Sequence, residues 1–121
     1  MNPVEPVLVT RMETWDHRSL LTCPKCGETS GLHHHSIQVF DRGEDEKDVA
    51  LICVSHGQVS RRRVANQLSN PSDRRHGLRI RFWCEMCDMD MDLCIAQHKG
   101  MTMMFWAEGN DREHSPNTKR G

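Results

Sequence analysis

The chain has 121 residues, 36% hydrophobic and only 5% aromatic, with 16 Lys and Arg against 17 Asp and Glu. That length predicts one domain with a thin core, the size class in which a metal or disulfides often supplement burial. The balanced charge excludes a strong non-specific polyanion binder, which carries a basic excess, and confines any nucleic-acid surface to a local patch. No apolar run approaches the ~20 residues of a membrane span. The opening MNPVEPVLVT has neither a basic n-region nor a long apolar h-region, so no signal peptide is expected. A cytoplasmic protein keeps its thiols reduced, which makes the six cysteines ligands or core residues rather than three disulfides.

In chain order, residues 1–19 form an N-terminal arm. Pro3 and Pro6 argue against a helical start before residue 7, and VLVTRMETWDHRS leaves strand and short helix open. HSIQVF (35–40) alternates, with Ile37 and Val39 on one face, and DVALICV (48–54) is a continuous apolar run. The charged turn DRGEDEKD joins them as an antiparallel hairpin. GQVSRRRVANQLSNPSDRRHG (57–77) reads as an irregular polar loop, with a short helix allowed in RRRVANQL. LRIRFW (78–83) alternates strictly, Leu78, Ile80 and Phe82 on one face and Arg79, Arg81 and Trp83 on the other. LCIAQH (93–98), Lys99-Gly100 and MTMMFWA (101–107) form a second hairpin. The fold class is mainly β: an antiparallel sheet of about five strands in two hairpins, within a domain spanning 20–107, with an inserted polar loop. Residues 108–121 lack apolar periodicity and read as a disordered tail.

Cys23 and Cys26 form one C-x-x-C turn, and Cys84 and Cys87 another. Two residues between thiols let the chain turn so that both sulfurs face one point, and two such turns together make a tetrahedral four-sulfur cage for Zn²⁺. Iron suits the same ligands. Gly27 supplies the positive φ such a turn often needs after its second ligand, and Asp88 tolerates it at the equivalent position. A redox C-x-x-C would need a βαβ context, which is missing. A full sulfur shell leaves no open position, so the site is expected to be structural.

CPKCG, with a downstream WCEMC before a β-hairpin, resembles the zinc-ribbon group. NPSDRRHGLRIRFWCEMC…IAQHKGMTMMFW is also similar to small zinc-ribbon-like proteins of bacteria and their mobile elements, a likeness that implies no activity. The resemblance implies ligands Cys23, Cys26, Cys84 and Cys87 at the tips of two hairpins. The departure is spacing: nearly half the chain separates the two knuckles, where one short hairpin is usual.

Several residues stand outside this site. His33 and His35, with Cys53 and His56, suggest a second metal site; the simpler reading is a polar strand start and an ordinary buried thiol. Cys94, in an apolar strand, reads as a core thiol. DMDMD (88–92) reads as a solvated turn, because Leu93 and Lys99 break the calcium-loop pattern. Met86, Met89, Met91, Met101, Met103 and Met104 fill an irregular core or form a soft-metal or peptide face. Arg61, Arg62, Arg63, Arg74 and Arg75 in the loop, with Arg79 and Arg81 beside Trp83, form a candidate nucleic-acid patch of guanidinium groups and a stacking platform. A solvated loop paired with the acidic 41–48 turn competes with that reading. No Ser-His-Asp spacing, phosphate loop or H-E-x-x-H is present. Three function classes remain: a non-enzymatic, nucleic-acid-associated accessory factor, a protein adaptor, and a small metal-dependent nuclease using the histidines.

Overall fold

The computed structural model describes residues 13–15, 18–66 and 70–109. They are arranged as strands and connecting turns, with no helix among them. A short hairpin, β1 (Glu13–Trp15) and β2 (Arg18–Leu20), resolves the strand-or-helix question for the end of the arm in favour of strand. The rest is one antiparallel six-stranded sheet: β3 (Leu32–Asp41), β4 (Asp48–Ser55), β5 (Gln58–Ala65), β6 (Gly77–Cys84), β7 (Met89–His98) and β8 (Met101–Glu108). Their order is β5-β4-β3-β6-β7-β8. Two three-stranded meanders therefore lie side by side, joined where β3 pairs β6.

Four expectations change. The loop over 57–77 is half strand: β5 pairs β4 from Gln58 to Ala65 through a two-residue turn, His56-Gly57, with φ 52° and 75°. Both positive φ values match the turn that follows the twist of the flanking strands. Arg61–Ala65 is thus strand and not helix; residues 67–69, the rest of the helical option, lie outside the described residues. DMDMD is not a solvated turn, because β7 begins at Met89 and both Met91 and Asp92 are buried. Residue 108, expected to open a C-terminal tail over 108–121, belongs to β8, where Glu108 pairs Met91; residues 110–121 lie outside the described residues.

The fourth change concerns which face turns inward. On β6 and its neighbours Ser36, Gln38, Arg79, Arg81 and Asp92 are buried, while Ile37, Val39, Leu78, Ile80 and Phe82 are only half-buried. The two apolar clusters lie on opposite faces of the sheet, as the alternation along the paired strands requires. One groups Cys23, Cys84, Met91, Leu93 and Trp106 with Leu21, Leu32, Ile80 and Phe82. The other groups Phe40, Val49, Leu51 and Cys53 with Val64. Arg79 and Arg81 share the face of Phe40, since Phe40 pairs Gly77 and side chains alternate along β6. The expected hairpins at 35–54 and 93–107 are present, the latter closed by Lys99 (φ 49°) and Gly100 (φ 80°).

Candidate metal centre

The first knuckle follows β2, and the second is the turn between β6 and β7. Both use the same local geometry. The Gly27 amide donates to the Cys23 carbonyl at 2.9 Å, and the Asp88 amide to the Cys84 carbonyl at 2.7 Å. Both residues after the second cysteine take positive φ, 82° at Gly27 and 55° at Asp88, as the sequence predicts. The Lys25 amide donates to Cys23 Sγ at 3.4 Å, one of the backbone contacts that stabilise a thiolate. The two knuckles are tied to each other where the Glu85 amide donates to the Gly31 carbonyl at 2.9 Å. Gly31 has φ 105°, and a Cβ there would lie 2.8 Å from Met86 Cγ, so this close approach needs glycine.

The four Sγ atoms of Cys23, Cys26, Cys84 and Cys87 lie within 4.8 Å of one another. Cys23 and Cys87 are 3.8 Å apart, and Cys26 and Cys84 are 3.7 Å apart. A tetrahedron of sulfurs ~2.3 Å from a central cation has edges of about 3.8 Å, whereas a disulfide would need ~2.05 Å. All four cysteines are free. The cluster is a candidate metal site, and its geometry is compatible with a zinc-ribbon-like one.

Its electrostatics point the same way. Burial is the main influence pushing the Cys87 thiol up to about 12, reinforced by the neighbouring sulfurs of Cys84, Cys23 and Cys26. Burial also opposes ionisation of Cys84, but amides of Cys87 and Met86 and the Cys87 thiol outweigh it and hold Cys84 below its ordinary value. Cys26 is raised: the Glu28 backbone contact favours its thiolate, but desolvation and the thiols of Cys23 and Cys84 prevail. The shifts run in opposite directions within one cluster, as expected where thiols crowd together and a charge on one opposes a charge on the next. A divalent cation among them removes that conflict. Cys23 and Cys84 are buried against Met91, Leu93, Trp106 and Phe82, so the site is continuous with a hydrophobic core.

The other candidate ligands do not converge. His33 stacks on Trp83 with centroids 5.8 Å apart, and its Nε2 lies 2.5 Å from Glu85 Oε1. His35 sits at a β-bulge between His34 and Ser36 and meets His56 edge-on at 5.7 Å. Cys53 lies in the second core. The cysteine quartet is the metal-competent group found among the described residues, and His33, His35, Cys53 and His56 do not form another. Cys94 is a core thiol as expected, and burial pushes it up to about 12.

The Arg patch divides into three parts. Arg61, Arg62 and Arg63 are exposed along the edge strand β5. Arg74 is held by Asp45 at 2.7 Å and Glu44 at 3.2 Å, the pairing with the acidic turn that the competing reading anticipated. Arg79 and Arg81 are only 0% and 2% exposed, so they cannot offer the surface expected of them. Arg79 Nε and Nη2 donate to Asp92 Oδ2 at 2.8 and 2.7 Å, and Arg81 Nε donates to Asp92 Oδ1 at 2.6 Å. Buried charges demand such partners, and Asp92 was hidden from sequence reasoning because the partnership spans the β6–β7 pair. Trp83 is half-buried, with Nε1 donating to Asp88 Oδ1 at 2.8 Å and one face taken by His33.

No family model, curated protein or solved structure matches this chain. Among the described residues no helix is long and apolar enough to cross a membrane.

Proposed function

We propose that the chain is a non-catalytic β-sheet module whose Cys23, Cys26, Cys84 and Cys87 hold a structural Zn²⁺, and that it associates with nucleic acid through Arg61, Arg62 and Arg63. The single observation behind the first part is the quartet of sulfurs at tetrahedral spacing. Four thiolates suit zinc and leave no coordination position for a substrate, so the cation would staple the chain rather than act on a ligand. Iron fits the same shell, and metal analysis of the purified protein separates the two. About one zinc per chain is expected, and a stoichiometric iron or no metal would overturn the assignment.

The second part is supported by exposure and spacing. Three consecutive arginines on an edge strand project to both sides of the sheet, and only Arg63 has an acidic neighbour described, Glu46 at 3.5 Å. A nucleic-acid backbone tracking this edge would meet a short row of guanidinium groups. The test is a titration with single-stranded and duplex DNA at several salt concentrations. About three phosphate contacts give a log–log slope of about −2 to −3. Binding that is absent at low salt, or unchanged when all three arginines become Ala, excludes the reading.

A second reading, the protein adaptor, draws on the opposite edge. Met101, Met103 and Met104 of β8 are 57%, 41% and 44% exposed, with no charged residue among 101–107 to discourage strand addition. Stoichiometric co-purification of a protein after nuclease treatment would favour it over the first.

A further inference from the structure

At the end of the sheet opposite the knuckles, three connections converge: the β3–β4 turn, the crossover from β5 to β6, and the β7–β8 turn. Between them lies a cleft of about 310 Å³ lined by Glu44, Arg74, Arg75, Gln97, His98, Lys99 and Gly100. We propose that this cleft is a binding site for a phosphomonoester. The site is independent of the Arg61–Arg63 surface and shares none of its residues.

Charge comes first. The lining holds Arg74, Arg75 and Lys99, with His98 beside them, against the single carboxylate of Glu44. Glu44 faces Arg74 at 3.2 Å, and Asp45 binds the same guanidinium at 2.7 Å, so Arg74 is committed to these two carboxylates and the group as a whole, with Arg75 and Lys99, keeps a single net positive charge. That contact holds the Asp45 carboxyl below its ordinary range. Arg75 and Lys99 remain as cations available to a ligand. Arg brings a planar fork and Lys a mobile point charge, the pair commonly used on phosphoryl oxygens. The amides of Lys99 and Gly100 fall outside the β7–β8 ladder, which closes at the His98–Met101 pair.

Rigidity comes second. The cleft is walled by loops that are already fixed. The Asp45 amide donates to the Arg74 carbonyl at 2.8 Å, which locks the β3–β4 turn to the crossover. Asn70 Nδ2 donates to the Arg75 carbonyl at 3.2 Å and fixes the backbone that presents this side chain. The Gln97 amide donates to Ser72 Oγ at 2.8 Å, which joins the crossover to β7. Buried Arg42 donates to the carbonyls of Glu46 at 2.6 Å and Asp73 at 2.9 Å. A ligand would meet preformed walls and lose little affinity to ordering them.

Size comes third. A volume of about 310 Å³ lies at the small end of ligand sites and exceeds what a bare oxyanion needs. A phosphate group carried on a sugar or nucleoside fills it better, with the phosphate at Arg75 and Lys99.

The experiment follows amide resonances of the zinc-loaded full chain during titration with ribose 5-phosphate, adenosine monophosphate and adenosine. Both phosphorylated compounds should shift resonances of Arg74, Arg75 and residues 97–100 while leaving the two knuckles unmoved, and adenosine should shift neither. A response to adenosine monophosphate without one to ribose 5-phosphate narrows the ligand to nucleotides and still supports the site. Arg75→Gln with Lys99→Gly, the latter suited to the positive φ at 99, should weaken binding about tenfold or more. Lys99→Arg should retain it, which guards against a folding defect in the double variant. The proposal is overturned if neither phosphorylated compound shifts these resonances at millimolar concentration, or if the double variant binds as well as the parent.

Discussion

The two ends of the sheet meet the same requirement by different chemistry. At the knuckle end, the turns before β3 and after β6 converge on four sulfurs beside a core of Met91, Leu93 and Trp106. At the other end, the loops are joined by hydrogen bonds from buried Arg42, from Asn70 and from the Gln97 amide to Ser72 Oγ, beside a core of Phe40, Val49 and Leu51. One end closes on a cysteine cluster that could hold a cation. The other closes on a cation of its own, the Arg42 guanidinium, which reaches backbone carbonyls across the turn. Among the described residues no helix packs on the sheet, and a small core gains from a cross-link at each end.

That contrast predicts a large asymmetry in response to damage. Cys84→Ser, or a strong chelator, should abolish metal binding and cooperative unfolding together. Structural zinc contributes an apparent ~10–16 kcal/mol in small peptides, comparable with the ~5–15 kcal/mol total stability of a domain. Circular dichroism with metal analysis reads both, and a chelated chain that melts like the parent would remove the cation from the account. Acidification should act in the same direction, because protons compete with the metal for all four thiols.

Next comes the seam between the ends. Asp92→Ala leaves Arg79 and Arg81 buried without their shared carboxylate and should cost about 3–5 kcal/mol in urea denaturation. Replacing the trio together, Arg79→Met, Arg81→Met and Asp92→Leu, should cost far less, since apolar groups need no partner. Similar losses in both variants would mean that packing, not charge, governs this seam.

Arg42→Ala should be milder, about 1.5–3 kcal/mol, and local. Amides of residues 70–76 should exchange faster while the metal stays bound. Simultaneous loss of the metal would show that the two ends are not separate. The last effect is confined to high pH and is absent at neutrality. Burial raises the folded Cys94 thiol from its ordinary 9.0 to about 12. Between these values the unfolded chain ionises this thiol and the folded chain does not, so stability should be full below pH 9 and fall as pH rises towards 12. The slope is at most about 1.4 kcal/mol per pH unit, and Cys94→Ala should flatten it.

Much of the candidate site was legible because its information is local. A C-x-x-C turn announces its geometry within five residues, and positive φ at Gly27 and Asp88 follows from that turn. What could be missed was β5. Its run QVSRRRVA has three charges in sequence, which reads as loop, yet pairing with apolar β4 and the His56-Gly57 turn makes it a strand. The alternation in SHGQVS was the available signal, but His-Gly is a weaker turn marker than Asn-Gly.

The sequence by itself determined most of the extended segments, with β5 and the β1–β2 hairpin as exceptions, where most of the turns fall and which cysteines pair into knuckles. Each of these depends on backbone preferences and period-two patterning over a few residues. Only the tertiary structure decided which face of each strand is covered. In LRIRFW the pattern separates Leu78, Ile80 and Phe82 from Arg79 and Arg81 but cannot say which set is sealed. Asp92, delivered across the β6–β7 register, pairs with both guanidinium groups and helps the charged face go inside, because the energy of a buried charge is set by its distant partner and not by its neighbours in the chain.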